Sequence, residues 1–378
     1  MVRHSLVAVL SFASIIAYGR PQQQVVRHPD TSKPLAVRWE WARAEAKNRN
    51  FDGGYWIGYS IQRLMEEKSF IGSYCSDERR NHPSLLEVIT GKTPLNTGSP
   101  EDPSDDGSAV SGNMSVEDGG KSSHEKVTKE VGFLFHYAAG GADKTDRIKV
   151  SNLSLRVQFN GDPLIWLGVA DDDESCARLR AEYAGARSDE IMKQLIMAIG
   201  VHQTSKGVFP FLHDVLGGTG SAEVRGDAAF WLGQLNTDEA RIALVQSIGT
   251  ERSDHVREQS IFALSEMEGE PALDALISFA QKGPDHAVRN KAIFWLGQKA
   301  SEKAVETLRG IVYSEQETDL QKSALFALTQ LPGNRGTVDI IKIARTHPNP
   351  KVRKEAIFWL SQSDDPRAIE VLVDIVKK

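Results

Sequence analysis

Four arginines, Arg225, Arg257, Arg289 and Arg353, stand 32, 32 and 64 residues apart. Guanidinium groups in such a row can bind a run of anions, or they can donate to carbonyls and carboxylates of neighbouring chain and tie one segment to the next. Charges separated by a whole repeat match no compact phosphate, and Asp227, Asp254 and Glu258 stand close enough in sequence to neutralise them. The row therefore reads as a structural tie, with Gln321 as its missing rung. Phe230, Phe262, Phe294, Phe326 and Phe358 recur at the same interval. Their chemistry is ring packing, either in the joints between helices or as an exposed stripe for a partner. The residue after each Phe alternates in size, Trp231, Ala263, Trp295, Ala327 and Trp359, as interlocked layers require if they are to avoid both voids and clashes.

Other reactive side chains form no such pattern. His136, His202 and His213 are scattered. Cys75 and Cys176 allow either one disulfide or two thiols, and zinc needs more soft ligands than two cysteines supply. Glu101, Asp102, Asp105 and Asp106 lack the spacing of a calcium loop. Asp171, Asp172 and Asp173 suit the positive end of a helix better than a metal. The sequence has no phosphate loop, G-x-S-x-G or H-E-x-x-H motif. No catalytic, metal or cofactor-binding residue is assigned, and no cofactor is implied.

The chain has 378 residues, 40% hydrophobic and 25% charged, with a formal net charge of -6. From Val224 to Lys378 there are 20 Lys plus Arg against 22 Asp plus Glu, a balance of -2. Nucleic-acid binding wants clustered positive charge, so that class of partner is disfavoured. Residues 1–19 carry Arg3 and His4, an apolar run from Leu6 to Tyr18, and small residues Ala17 and Gly19 before Arg20. That is the pattern of a cleaved export signal, which implies a periplasmic or secreted protein that meets the membrane only transiently. The apolar run is shorter than the roughly 20 residues of a spanning helix.

Several segments must position these residues. Arg20 to Lys33 reads as a flexible polar lead. Val37, Trp39 and Trp41 alternate with Arg38 and Glu40 as in a short strand, although the Ala-, Glu- and Arg-rich continuation suits a helix equally. Phe51, Tyr55, Trp56 and Tyr59 crowd around glycines as a hydrophobic plug or a ligand-stacking platform, and Ile61, Leu64 and Met65 follow at helical spacing. Residues 91–126 are rich in Ser, Gly, Pro, Asp and Glu, the composition of a disordered acidic linker. Val131–Phe135, Ile148–Phe159 and Pro163–Val169 predict a small antiparallel sheet, with Asn160-Gly161 as a hairpin turn. A helix follows from about Glu174 to Ala184. Residues 34–90 and 127–185 thus make an N-terminal α+β domain interrupted by the linker.

Beyond it the chain repeats. Val224, Val256, Val288, Leu320 and Val352 open a helix in each unit, Leu232, Leu264, Leu296, Leu328 and Leu360 share its buried face, and Leu244, Leu276, Leu308, Ile340 and Leu372 mark a second helix. Thr237, Gly269, Ser301, Gly333 and Asp365 precede those second helices, three of them with a capping oxygen. A 32-residue period of helix pairs predicts a mostly α, αα-hairpin superhelical solenoid. The same spacing extends backwards to a degenerate first unit near 191–216, so the array covers 191–378. The texts VRGDAAFWLGQL, VREQSIFALSEM, VRNKAIFWLGQK, LQKSALFALTQL and VRKEAIFWLSQS resemble the HEAT-repeat family, in the short bacterial form also found in phycobilisome-lyase-like repeats. The resemblance implies a protein-binding scaffold and fixes no catalytic residue. The expected function is an exported scaffold that binds an unknown protein or peptide on its solenoid, with the Phe row as the candidate surface. The alternative is an enzyme or enzyme assembly factor with its site in the N-terminal domain. If the export signal is real, intact-mass analysis of protein from its native host should find a mature chain beginning near Arg20. An uncut chain beginning at Met1 would contradict it.

Overall fold

The computed structural model describes residues 24–51, 53–67, 69–72, 83–91, 126–139, 144–202, 204–299 and 301–376. The expected signal segment at 1–19, most of the acidic stretch, Cys75 and the cluster of Glu101, Asp102, Asp105 and Asp106 lie outside them.

The N-terminal domain is a five-stranded sheet in the order β1-β5-β2-β3-β4, built from β1 (Val25–Arg27), β2 (Gly54–Glu66), β3 (Lys126–Ala138), β4 (Thr145–Asn152) and β5 (Leu164–Val169). The sheet is mixed, not antiparallel as expected. β2 pairs antiparallel with β3, and β3 with β4, whereas β5 runs parallel to both β1 and β2. The Asn160-Gly161 turn forms, with φ of 58° and 89°, yet it closes no hairpin. After Asn152 the chain leaves the sheet and crosses one of its faces as an extended segment. There Leu153, Val157 and Phe159 are buried with Trp56, Leu134 and Trp166. Its backbone carbonyls at Leu153 and Leu155 accept from Leu86 and Leu85 of the short helix α2 (Leu85–Thr90) at 2.8 and 2.9 Å. The alternation at 153–159 is therefore that of a strand-like segment packed on a sheet rather than one paired within it.

Two further local readings change, and a third, left open between strand and helix, is decided. The expected lead contains β1, and the Arg27 side chain donates to the Ile89 carbonyl, Nε at 3.0 Å. Ile61, Leu64 and Met65 belong to β2, where Ile61 and Met65 point into the core and Leu64 is half exposed. The segment around Trp39 is helix α1 (Leu35–Asn48), in which Leu35, Trp39, Ala42 and Ala46 bury one face. Trp39 packs edge-on against Phe135 at 5.0 Å and Tyr59 at 6.2 Å. Trp41 looks strand-paired in sequence because it too is covered, by His28 at 4.6 Å. The aromatic segment is a packed plug: Trp56 and Tyr59 are fully buried.

Helix α3 (Asp172–Gly185) follows the sheet, with Asp171 accepting from the Glu174 N–H at 2.8 Å as its cap. The array then stacks first helices α4 (Asp189–Gly200), α6 (Ala222–Leu235), α8 (Asp254–Glu266), α10 (His286–Lys299), α12 (Thr318–Thr329) and α14 (Pro350–Ser361). Their partners are second helices α5 (Val208–Leu216), α7 (Asp238–Thr250), α9 (Glu270–Lys282), α11 (Glu302–Ser314), α13 (Thr337–Thr346) and α15 (Pro366–Val376). The first helices approach one another more closely than the second helices do.

Caps keep the period. Ser221, Ser253, Asp285 and Asn349 cap first helices, while Thr237 and Ser301 cap second helices. In the fourth full unit the chain instead makes a short 3-10 turn at Pro332–Asn334 and α13 begins at Thr337. Ile340 nevertheless stays buried in register. The Val/Leu row that opens the first helices and the Leu row near their C-terminal ends are buried throughout. The fully buried Leu296 should therefore lose about 2–5 kcal/mol on substitution by Ala, through lost transfer energy and a cavity. Half-exposed Phe358 should lose far less when changed to Ala. Denaturant melts of the two variants measure this; equal losses would show that the rows are misassigned.

Candidate functional site

The arginine row sits at the start of the first helices, where Arg225, Arg257 and Arg289 reach the loop that leads into the next unit and Arg353 turns back to the loop that leads into its own. Arg225 pairs with Glu251, Arg257 with Asp285, and Arg289 with Glu315 and, at 3.4 Å, with Glu317. Of the three acids close in sequence, only Asp254 contacts the row, through Arg257; Glu258 pairs instead with Lys291 at 3.2 Å. Asp285 serves two purposes. It accepts from the Val288 N–H at 3.0 Å as a cap, and that bond, with Arg257 beside it and burial opposing both, holds its carboxyl below the usual carboxylate range. Gln321 shows what the row is for. Its amide oxygen accepts from Asn349 Nδ2 at 3.1 Å, and Asn349 occupies the loop position held by Asp285 and Glu317 in earlier units. Where the cation is lost, the facing acid is neutral too. Arg353 donates to the carbonyls of His347 and Pro348 at 2.6 and 3.0 Å.

The phenylalanines lie on the other side of the same helices. Phe230, Phe262 and Phe326 are half-buried, whereas Phe294 and Phe358 are 40% and 51% exposed. Phe230 stacks on Phe262 with centroids 6.2 Å apart and planes at 13°. Trp295 lies against Phe262 at 4.9 Å, and Trp359 against Phe326 at 5.0 Å. Phe294 and Phe358 meet Trp295 and Trp359 edge-on. Each of these Trp rings thus covers the Phe of the unit before. The alternation of Trp with Ala has its counterpart in glycine: a Cβ on Gly233 would stand 2.7 Å from the Ala263 carbonyl oxygen, and one on Gly297 3.0 Å from that of Ala327. Joints closed by aromatic rings therefore alternate with joints where backbones touch. A second row escapes a reading centred on aromatic residues. Four residues after each Phe stand Gln234, Glu266, Gln298, Gln330 and Gln362, all but the half-buried Gln234 exposed, on the same helix face.

In the N-terminal domain two of the three scattered histidines acquire partners. His136 on β3 is bracketed by carboxylates, Nδ1 2.6 Å from Asp146 and Nε2 3.0 Å from Asp162. Each ring nitrogen thus faces a carboxylate oxygen. The ring is itself buried, so the group fastens the 160–162 turn and the start of β4 to β3. His202, where α4 ends, is enclosed at the junction of sheet and array. Its Nδ1 lies 3.1 Å from the Ile199 carbonyl and so donates; Nε2 accepts from Ser175 Oγ at 2.8 Å, and Ser175 accepts from the Tyr59 hydroxyl at 2.8 Å. A serine aimed at an imidazole resembles a nucleophile with its base, but Tyr59, Ser175 and His202 have at most 1% of their surface exposed. No substrate reaches them. His213 on α5 only stacks with Phe209, and Cys176 is a buried free thiol whose pKa burial raises. Among the described residues no group of three or more His, Cys, Asp or Glu is placed to hold a metal ion, and no helix is long and apolar enough to cross a membrane.

Residues 209–294 match the HEAT-repeat family model, and residues 352–378 match that of the PBS lyase HEAT-like repeat. The array is a HEAT-repeat solenoid. Among solved structures, this chain is similar to the complex of CpcE and CpcF of phycocyanin lyase from a Nostoc species. That match has 25% identity and a TM-score of 0.30, over 41% of this chain and 97% of the other. It is also similar to human deoxyhypusine hydroxylase in complex with glycerol, at 17% identity and a TM-score of 0.26, over 53% and 85%. Both superpositions are too loose to bear on activity. No curated protein matches the chain.

HEAT pairs of this kind can support protein–protein interaction; Phe294, Phe358 and the exposed members of the Gln row leave side chains open on the first-helix layer, as Ile242, Val338 and Ile369 do on the second helices. The His202 junction holds that array to the sheet. Burial lowers the pKa of His202 from 6.5, and of His28 likewise. The unfolded chain therefore binds protons that the folded chain refuses, so stability should fall as pH drops below about 6.5. The His202→Gln variant should show a shallower decline in melting temperature between about pH 7 and pH 5. Identical acid slopes in the two proteins would remove His202 from the account.

Proposed function

We propose that this chain is an exported scaffold that binds a protein or peptide along the first-helix layer of its HEAT array. One observation carries the reading: Phe294 and Phe358 stay 40% and 51% exposed in a row whose neighbours on the same helices are buried. Phe230, Phe262 and Phe326 are held by neighbouring rings, whereas Phe294 and Phe358 keep a face that core packing does not use. The ion-paired arginines leave the opposite edge committed to holding units together. Export rests on the pattern of residues 1–19 alone.

The alternative, an enzyme or enzyme assembly factor with its site in the N-terminal domain, is in keeping with the names of the two solved structures, a lyase and a hydroxylase. Those names carry no reaction to this chain. Within that domain the Asp146–His136–Asp162 group is the place where a general acid or base would stand, since its carboxylates are 41% and 26% exposed.

Capture from an envelope fraction with the full chain separates the two. A protein retained by wild type should be lost, by about tenfold or more, with the double variant Phe294→Ala/Phe358→Ala at unchanged melting temperature. Retention by that variant, together with a turnover abolished by Asp162→Asn, would replace the scaffold by the enzyme.

A further inference from the structure

We propose that the outer face of the last described helix pair, α14 and α15, docks a second copy of this chain in a closed two-fold dimer. In earlier units the positions that face the next layer are covered by it. Ala229, Ile261, Ile293 and Leu325 on the first helices are buried, as are Leu273, Val305 and Thr337 on the second. At the equivalent places in the last described pair stand Ile357, half-buried, and Ile369, which is 59% exposed, with Val373 one turn further on at 45%. A unit whose outer face meets water carries polar residues there. This face instead keeps the side chains of an interior joint, and none of them belongs to the Phe row.

The charges on the face select the occupant. Glu258 pairs with Lys291 of the next first helix at 3.2 Å, and Lys322 with Glu355 at 3.5 Å; Lys354 holds the corresponding place on α14. On the second helices Asp274 takes Lys303 of the next unit, and Glu370 holds that place on α15. Among the described residues neither Lys354 nor Glu370 has a charged partner. A second copy satisfies both. Helices α14 and α15 run antiparallel from one loop. At a rise of about 1.5 Å per residue, Lys354 lies ~10.5 Å from the loop end of α14 at Ser361, and Glu370 ~6 Å from the loop end of α15 at Pro366. Ile357 and Ile369 lie ~6 and ~4.5 Å from the same ends. A two-fold axis along the helix direction exchanges the two helices and keeps these levels. It lays α14 of each copy on α15 of the other, sets Ile357 against Ile369 and brings Lys354 within a side chain's reach of Glu370, with each contact made twice. The other end of the array is closed. Tyr183 of α3 packs edge-on against Phe211 of α5 at 4.9 Å, and the Ile148 N–H of β4 donates to Gln194 of α4 at 3.2 Å. A copy cannot add there as a further repeat, so the association stops at two chains.

Sedimentation equilibrium of the full chain between about 1 and 100 μM tests this. The wild type should reach the mass of two chains at the upper end. Ile369→Lys/Val373→Lys should weaken the dimer about tenfold or more, with helical circular dichroism unchanged. Lys354→Glu and Glu370→Lys should each weaken it about tenfold, because each sets like charges opposite one another. An equimolar mixture of those two variants should recover the dimer, since every pair across the two-fold then joins opposite charges; a residue that only supports its own helix would give no such recovery. A wild type still monomeric at about 100 μM overturns the proposal. So does a dimer that none of these substitutions weakens, or a mixture of the two charge variants that fails to reassociate. A different protein captured through Ile369 by a chain that stays monomeric overturns it too. These substitutions leave Phe294 and Phe358 in place, so loss of the dimer with partner capture intact leaves the scaffold reading standing.

Discussion

A helix pair of this sequence cannot hide its own apolar face. The Val–Leu rows that include Val288 and Leu296 are buried only because another pair lies against them, and every other regularity in the array follows from that need to be covered. The joint must be close, so glycine faces alanine at Gly233 and Gly297. Where it is wider, a tryptophan fills it by lying on the phenylalanine of the unit before. The direction of stacking is fixed by arginines that reach forward to the next loop. Ion pairs at a surface contribute little each; here they select register more than they add stability, and the Gln321–Asn349 exchange preserves that selection without charge.

The repeat region was legible because its constraint is local and recurs. A buried position every 32 residues announces itself five times, and even the second-helix row keeps step where the loop at Pro332–Asn334 takes another path. The N-terminal domain has no such redundancy. Its strands are each seen once, and the alternation that identifies a strand does not say which strand lies beside it. Leu153, Val157 and Phe159 alternate because a sheet face covers them, so a segment outside the sheet looked like part of it. Parallel pairing of β5 with β1 and β2 depends on where the chain returns, which no short-range pattern encodes.

The candidate surface was half legible for a related reason. Phenylalanine at a fixed interval stands out, whereas glutamine is common on any helix surface and gains meaning only once Phe294 and Gln298 are known to share an outward face. The histidines show the converse. His136 is 10 and 26 positions from its two carboxylates and His202 is 27 from Ser175, and only folding brings Asp162 or Ser175 to them.

The polar junction at His202 also governs how the whole molecule bends. Tyr59 from β2, Ser175 from α3 and His202 at the end of α4 share directed hydrogen bonds inside an apolar seam, and Arg63 on β2 donates to the Val201 carbonyl beside them. Sliding the sheet against the array would leave these groups buried without partners, which is costly. The first unit is therefore clamped, and the array behaves as a cantilever. Small rotations at successive joints add with distance from the clamp, so the separation between Phe230 and Phe358 collects the contributions of every joint between them. Under the proposed scaffold reading, a ligand that spanned it would work against a built-in support at one end.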